Sequence, residues 1–242
     1  MDNNFELELQ SLEALADRLE AEVSELERKV GLINDVNEIE LHIGHYMSIH
    51  YRHDEPDMLS EDDGYRFYAQ ERDDCTTEIS DYGVRPGGKK APRIPNSPLM
   101  GCIYDHNLCT PMITVAEDGQ TAKGVWYCCG FETDPRFYER GGHMDGHPVA
   151  DWCWGREGTH FIKENGQWRY WHYHWYRFNR TPFYRSWADY RYPPALIRGG
   201  NVMNAAEFTT TFFNPYQPDT EMLPHPACPE PYDTWTDGTP MP

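Results

Sequence analysis

Hydrophobic side chains recur at helical spacing near the start of the chain. Within residues 5–30, Leu12, Leu19 and Leu26 recur every seven residues, and Leu15, Val23 and Val30 stand between them. This pattern predicts a helix with a short coiled-coil seam. Because a free helix of this length is marginally stable in water, we expect the seam to pack on the body of the protein or on another subunit.

A second helix is predicted from about residue 36 to residue 51, after a break at the Gly-Leu-Ile-Asn-Asp stretch of residues 31–35. Its inward face consists of residues at helical spacing: Val36, Ile39, Ile43, Tyr46 and His50. This face begins apolar and ends polar, which is where we expect a pocket to open.

Alternating polar and apolar positions predict a series of strands in the remainder of the chain. These strands cover residues 76–82, 102–116 with an interruption at Pro111, 121–129, 152–163 and 168–178. The Asn-Gly of the turn at 164–167 is a strong hairpin signal. Two helices followed by antiparallel strands predict an α+β fold, in which a curved sheet wraps around the helices and leaves a cone-shaped cavity.

The predicted organisation has three parts. Residues 1–30 form an N-terminal helical extension, residues 31–190 the α+β cone domain with its pocket, and residues 191–242 an extended proline-rich tail. Residues 85–98 are rich in proline and glycine and predict a long loop. The basic side chains of that loop either are solvated or serve as a lid over an anionic or phenolate group: Arg85, Lys89, Lys90 and Arg93.

The strand WRYWHYHWYRF, residues 168–178, has the strongest chemical character. Side chains alternate between the two faces of a strand, so one face carries Trp168, Tyr170, His172, His174 and Tyr176. Arg169 and Arg177 mark the other face as nearer to solvent, and we therefore expect the histidine face to point into the cone. Aromatic walls suit a flat aromatic ligand, and histidine can act as an acid or a base near neutral pH.

Two other interpretations of the histidines stay open. Each histidine can satisfy tyrosine and tryptophan polar groups in the core without any catalytic role. His172 and His174 could also hold a metal ion together with His160 or His106, but no carboxylate or cysteine stands at a matching local spacing. His143 and His147, in a glycine-rich insertion, are expected to be loop or lid residues, and we expect no metal.

Composition excludes several classes of function. With 40 acidic and 21 basic residues, the chain carries a formal net charge of −19 and is poorly suited to bind nucleic acid or an anionic membrane. There is no GxGxxG motif and no P-loop, so no nucleotide or other cofactor is expected. The seven cysteines form no CxxC pair, which favours reduced thiols and a cytoplasmic location.

Two segments carry a resemblance to a known family: TPMITVAEDGQTAKGVWYCCG at residues 110–130 and WCWGREGTHFIKENGQWRYWHYHWYRFNRTPFYRSW at residues 152–187. They resemble the SnoaL-like branch of the nuclear-transport-factor-2-like superfamily. The stretches IELHIGHYMSIHYRHDE and PACPEPYDTW look like the first helices and the tail of its longer members. The resemblance implies an α+β cone with one deep pocket that works without a cofactor.

The resemblance also implies roles for individual residues. His106 and His174 are the expected acid–base pair, and Tyr46, His50 and His172 are expected to orient the substrate. Residues expected to contact the substrate are Trp126, Trp154, Tyr170, Tyr176, Tyr104 and His160. The chain departs from many relatives in having Tyr46 and His50 where an inward aspartate is usual on the first helix.

Longer members of the family imply a specific activity. This is a cofactor-independent lyase that acts on a lignin-derived diarylpropane-diol through a quinone methide, giving a stilbene and formaldehyde. The alternatives are a dehydratase, hydratase or cyclase acting on another aromatic or polyketide substrate, and a non-enzymatic module that binds a small molecule. The leucine seam and the tail favour a homo-oligomer, either a dimer or a trimer.

Overall fold

One long helix and six strands make up the described part of the chain. The computed structural model describes residues 2–51, 65–80, 83–88, 103–133, 150–189, 191 and 210–232. The elements are α1 (Asp2–Tyr51), a short 3₁₀ helix (Tyr65–Phe67), β1 (Thr76–Ile79), β2 (Gly83–Pro86), β3 (Ile103–Val115), β4 (Thr121–Thr133), β5 (Asp151–Glu164) and β6 (Gln167–Pro182).

Helix α1 runs without interruption through the predicted break. The prediction of two helices separated at residues 31–35 is therefore wrong. A single glycine in a helix costs about 1 kcal/mol relative to alanine, which the neighbouring turns can offset, and this stretch contains no proline. Only the second half of α1 packs on the sheet, through the fully buried Ile39 and Ile43.

The strands form one sheet in the order β2-β1-β6-β5-β4-β3. Strands β3 to β6 form an antiparallel meander, whereas β1 runs parallel to β6. With α1 packed on one side, this arrangement confirms the predicted α+β class. Arg85 lies in β2 rather than in the predicted loop. Lys89, Lys90 and Arg93, together with His143 and His147 of the insertion, lie outside the described residues.

The tight turn between β5 and β6 follows its sequence signal. Asn165 and Gly166 both have positive φ, at 51° and 74°. Asparagine and glycine tolerate this left-handed conformation, which matches the twist of the two flanking strands. The hairpin predicted from the Asn-Gly pair is confirmed.

Three irregularities bend the meander. One extra residue interrupts β3 between Cys109 and Met112, next to the predicted interruption at Pro111. Two further irregularities lie in the β5–β6 pairing, where Trp171 and Phe178 are the extra residues of β6. Each such bulge bends the strand and increases its twist.

The sheet has an inner face that contacts α1 and an outer face that contacts the C-terminal segment. On the inner side, the Asp35 carboxylate accepts hydrogen bonds from Lys163 Nζ at 2.5 Å and from Trp168 Nε1 at 3.0 Å. On the outer side, Arg156 Nη1 donates to the carbonyl of Pro226 at 3.2 Å.

Residues 210–232 extend along the outer face without forming helix or strand. The sequence predicts an extended tail over residues 191–242, and its described part lies across the outer face of the sheet. In the described part of the chain, no helix combines the length and the apolar character needed to cross a bilayer.

The glycines of α1 and of the β5–β6 turn give a matched test of these backbone conformations. Gly44 is helical and a Cβ there would meet nothing within 4 Å, so Gly44→Ala should raise the free energy of unfolding by about 1 kcal/mol. A Cβ at Gly166 also meets nothing, but its φ of +74° should make Gly166→Ala destabilising by about 1 kcal/mol. Denaturant unfolding of both variants measures the two changes, and equal signs would contradict the backbone assignment.

Candidate active site on the inner face

The bulge at Trp171 decides which side chains of β6 face inwards. Phe161 pairs with Tyr170 and His160 pairs with His172, so β6 advances two residues while β5 advances one. The alternation of faces is reversed beyond this point. Tyr170 stays on the inner face, and Tyr173, Trp175 and Arg177 join it there.

Four tyrosines pack together between α1 and the sheet. The ring of Tyr46 lies 5.1 Å from that of Tyr170 and 5.9 Å from that of Tyr173, measured between centroids. Tyr68 is 5.2 Å from Tyr170, and its hydroxyl is 3.2 Å from that of Tyr46. This tyrosine cluster (Tyr46, Tyr68, Tyr170 and Tyr173) gives the interior both flat aromatic surfaces and hydroxyl groups.

Glu157 on β5 is a carboxyl group enclosed by this cluster. It is 1% exposed, and Tyr173 Oη donates to its Oε1 at 2.7 Å. Burial raises the pKa of Glu157 to about 8, and the hydrogen bond from Tyr173 offsets only part of that effect. The group is therefore mostly a neutral carboxylic acid at pH 7, which can donate a proton.

Several polar atoms near Glu157 have no hydrogen-bond partner among the described residues. They are Glu157 Oε2, Tyr170 Oη, Thr159 Oγ1 and Trp175 Nε1. Strand pairing brings them together, because Glu157 is opposite Trp175 and Thr159 is opposite Tyr173. Buried polar groups in proteins almost always have partners, so this concentration indicates a place that binds polar groups of a ligand or water.

A second polar group on the inner face is centred on Glu132. Its Oε1 lies 3.1 Å from His106 Nε2 and 3.1 Å from Arg177 Nη1, and its Oε2 lies 3.0 Å from Arg180 Nη2. Burial alone would raise the pKa of Glu132, but Arg180, Arg177 and His106 outweigh it and lower that pKa. Asp151 completes this ion-pair cluster by accepting from Arg180 Nε at 2.8 Å.

Trp175 lies between the two polar groups. Its ring centroid is 4.4 Å from that of His106, and it pairs across the strands with Glu157. A neutral acid and an oriented histidine are therefore both neighbours of one indole ring. An ionised carboxylate beside a histidine fixes the orientation of the ring and stabilises its protonated form.

Three side chains of the same region carry atoms that could ligate a metal ion. His106, Glu132 and Cys153 offer ligand atoms within 4.8 Å of one another. However, Glu132 already pairs with two guanidinium groups, whose positive charges oppose a cation. Burial also raises the pKa of the Cys153 thiol well above its usual value, whereas metals bind the thiolate. These residues do not fit a metal ion.

The outer face of the sheet holds the two histidines of β6, His172 and His174. The prediction that His172, His174 and Tyr176 point into the cone is wrong, because the Trp171 bulge turns them outwards. Thr76 Oγ1 lies 3.0 Å from His172 Nδ1, and Ser80 Oγ lies 3.1 Å from His174 Nε2.

His160 and Trp154 also lie on the outer face, contrary to their predicted contact with a substrate in the cone. Tyr232 Oη is 2.5 Å from His160 Nδ1, and Trp154 is 49% exposed. Burial lowers the pKa of His160 to about 3 and that of His172 to about 4. Both histidines are therefore neutral at pH 7 and buried as packing residues. This agrees with the non-catalytic interpretation described above.

Ser80, His174 and Glu78 form no nucleophilic triad despite their proximity. Ser80 Oγ and Glu78 Oε1, at 3.4 Å, both approach the same nitrogen of His174, Nε2. A triad needs the acid on one ring nitrogen and the nucleophile on the other. The Glu78 carboxylate instead accepts hydrogen bonds from Thr210 and Thr211, which fix the C-terminal segment.

Four other predicted residues lie on the inner face. The sheet register places His106, Tyr104, Trp126 and Tyr170 there, and Tyr46 faces them from α1. Trp126 contacts Phe161 with 6.1 Å between ring centroids. His50 belongs to α1, but its side chain lies outside the described residues.

Three residues of the inner face were not among the predicted site residues: Glu157, Glu132 and Arg177. A signal for the first two was present: Glu157 stands in the same alternation as Cys153 and Phe161, and Glu132 in that of Trp126 and Cys128. A carboxylate in the apolar register of a strand indicates a buried charge. Arg177 gave no such signal, because the bulge that turns it inwards cannot be recognised from this aromatic sequence.

Comparison with known sequences supports the resemblance in part. The sequence model of the family described as SnoaL-like domain matches residues 87–174, from the end of β2 to the middle of β6. No curated protein sequence matches.

Solved structures with a similar chain trace include three of low sequence identity. A candidate scytalone dehydratase from Novosphingobium aromaticivorans DSM 12444 is 12% identical with a TM-score of 0.44, over 65% of this chain and 93% of its own. A hexachlorocyclohexane dehydrochlorinase, LinA type 2, is 11% identical with a TM-score of 0.48, over 69% and 98%. An NTF2-like protein with a cystatin-like fold from N. aromaticivorans is 17% identical with a TM-score of 0.38, over 66% and 90%.

The raised pKa of Glu157 predicts a pH-dependent effect on stability. The folded state holds this proton up to about pH 8, whereas the unfolded state loses it near pH 4.5. The stabilisation from the bound proton is complete below pH 4.5 and is lost as the pH rises through 8. Glu157→Gln has no proton to lose in this pH range, so its stability lacks this decline. The free energy of unfolding of the variant minus that of the wild type should therefore increase by up to about 4 kcal/mol between pH 5 and pH 9, at about 1.4 kcal/mol per pKa unit. Urea unfolding at both pH values measures it, with the exposed Glu221→Gln as control. A pH-independent difference would contradict the burial of Glu157.

The ion-pair cluster predicts a large effect of neutralising Glu132. Glu132→Gln leaves Arg177 and Arg180 without their shared carboxylate, so it should lower the free energy of unfolding by about 3–5 kcal/mol. Asp219→Asn removes the partner of Arg191 in an exposed, solvent-screened pair and should change the free energy of unfolding much less than Glu132→Gln does. Similar losses in the two variants, measured by thermal and urea unfolding, would argue against the buried cluster.

Proposed function

We propose that this chain is a cofactor-independent lyase that carries out acid–base chemistry on an aromatic substrate bound at the inner face. The observation that carries this proposal is the neutral, fully buried Glu157 beside Tyr170, each with a polar atom that lacks a partner among the described residues. A carboxylic acid held in a dry aromatic environment is suited to protonate a leaving hydroxyl group.

Glu157 replaces His174 in the acid–base pair expected from the sequence, and it acts as the acid. Its Oε1 accepts from Tyr173, so Oε2 is the oxygen that can carry the proton to a substrate. His106 remains in the pair and acts as the base, because Glu132 orients its ring and stabilises the charge it would gain. The tyrosine cluster and Trp175 provide flat surfaces against which aromatic rings can stack.

For substrate, we propose a phenolic diarylpropane-diol of lignin origin, in line with the resemblance of the chain to longer SnoaL-like proteins. Glu157 donates a proton to the benzylic hydroxyl, which leaves as water while the para-phenol loses its proton and becomes a quinone methide. His106 then removes the proton of the terminal hydroxymethyl group. The carbon–carbon bond breaks, formaldehyde leaves, and the quinone methide accepts the electron pair to give a stilbene phenolate. Solvent takes the phenolic proton in the first step and returns one to the stilbene phenolate, and the proton gained by His106 is exchanged through solvent for the one lost by Glu157. The products are one stilbene, one formaldehyde and one water for each substrate molecule.

A dehydratase acting on another aromatic substrate is the second candidate. The same acid and base would suffice, because dehydration needs only protonation of a hydroxyl group and removal of a neighbouring proton. A purely ligand-binding module is less well supported, because the inner face is not apolar but contains Glu157, Glu132 and His106.

Product analysis tests the proposed reaction. Chelator-treated protein incubated with a para-hydroxylated 1,2-diarylpropane-1,3-diol should release stilbene and formaldehyde in equal amounts. The para-methoxy analogue cannot form a quinone methide by loss of a phenolic proton, so it should give neither product. Loss of water without formaldehyde would favour the dehydratase, and no reaction with any phenolic diol would contradict the lyase.

Variants of the two polar groups test the assigned roles. Glu157→Gln and His106→Gln should each lower kcat by roughly 10²–10⁴-fold, the range for loss of a general acid or base. Activity of the wild-type protein should also fall above about pH 8, where Glu157 loses its proton, and Glu157→Gln should lack this decline. The exposed Trp154→Phe is the matched control and should keep wild-type activity. Wild-type rates in both site variants would refute the assignment.

A further inference from the structure

Residues 9–33 of α1 carry an apolar seam whose large side chains are all exposed in the described part of the chain. Numbering the heptad positions a to g, position a holds Leu9, Ala16, Val23 and Val30, and position d holds Leu12, Leu19, Leu26 and Ile33. The seven large side chains of this seam are between 46% and 63% exposed. Of the two outcomes expected for the seam, packing on the body of the protein is therefore excluded among the described residues.

A strict seven-residue repeat specifies what kind of surface fits it. Side chains at a and d insert as knobs into holes of a facing helix that has the same repeat, and no flat sheet or loop offers such holes. Leu9 to Ile33 covers more than three heptads, and the repeat ends where core packing begins at Asp35. The seam is thus a separate packing surface and not an extension of the core.

We propose that residues 9–33 form a two-stranded coiled coil with the same segment of a second copy of this chain. β-Branched residues at a with leucine at d favour two strands over three, and Val23, Val30, Leu19 and Leu26 follow this rule. A second copy supplies the complementary repeat without any further partner, and a two-fold axis would bury both seams at once.

The seam faces away from the sheet, so α1 of a second copy can reach it. At 3.6 residues per turn, Leu26 and Val30 lie on roughly the opposite side of α1 from Ile39 and Ile43, which face the sheet. A helix docked on the seam therefore approaches from the side away from the sheet.

The charges beside the seam are mostly acidic and oppose self-association. Position e holds only glutamates (Glu6, Glu13, Glu20 and Glu27), and position g holds Glu8, Leu15, Glu22 and Lys29. Each like-charge pair across the interface lowers the association constant by roughly twofold, whereas burial of one leucine raises it more than tenfold. Burial of the seam therefore outweighs the repulsion, and salt should strengthen the association by screening the glutamates.

Sedimentation equilibrium of the full chain tests the coiled coil. The wild-type protein should have twice the 28.3-kDa mass of one chain, or a higher even multiple if a further surface also associates. Leu19→Glu with Leu26→Glu places charges at two d positions and should halve that mass. Ala14→Glu with Ala21→Glu adds the same two charges at outward f positions, so this matched control should keep the wild-type mass.

Salt dependence provides a second measurement on the same proteins. The wild-type association constant should rise by up to about tenfold between about 0.05 M and about 1 M salt. A monomeric wild-type protein at both salt concentrations, an unchanged mass of the d-position variant, or a mass of three chains would each overturn the proposal. Weaker association at high salt would likewise overturn it, since it would indicate attraction between opposite charges.

Discussion

The inner face of this protein depends on one extra residue in β6. Trp171 has no partner position on β5, so the strand reverses its alternation between Tyr170 and His172. Without the bulge, His172 and His174 would face α1, and Tyr173 and Trp175 would face the C-terminal segment. The bulge therefore determines both the tyrosine cluster on one side and the covered histidines on the other. A displacement of one residue changes the chemistry of both faces, because side chains alternate with a period of two.

Two buried glutamates of the inner face have opposite properties. Glu132 is surrounded by Arg177, Arg180 and His106, and the two guanidinium groups keep it ionised despite its burial. Glu157 has only a tyrosine hydroxyl as a partner, so burial keeps it protonated at neutral pH. Two identical side chains thus become an anion and an acid through their neighbours alone. Such a separation of pKa values within one enclosure is the physical basis for proton donation at one end and proton acceptance at the other.

Much of the fold could be predicted from the sequence. Hydrophobic alternation located β3 to β6 to within a few residues, except where β4 and β6 extend further at their ends, and the Asn165–Gly166 pair identified its hairpin. The faces of β6 could not be predicted, because aromatic residues occupy both alternations and carry no signal for a bulge. The arginines were a misleading guide: Arg169 lies near solvent, but Arg177 is buried against Glu132. The sequence predicts a break in α1 near Gly31 because glycine is a strong local signal for the end of a helix. The neighbouring turns nevertheless continue the helix through this residue.

The continuity of α1 has a consequence for how the two halves of this helix are related. The half before Ile33 follows a heptad repeat, and the half after it follows the shape of the sheet, yet both share one unbroken backbone. Their relative angle is therefore fixed by the number of residues between them, and each residue inserted or deleted near Gly31 would rotate one surface against the other by about 100°. The continuous helix therefore fixes the angle between the apolar seam and the surface that faces the core. Substitutions that preserve both surfaces leave this angle unchanged, whereas a single insertion changes it.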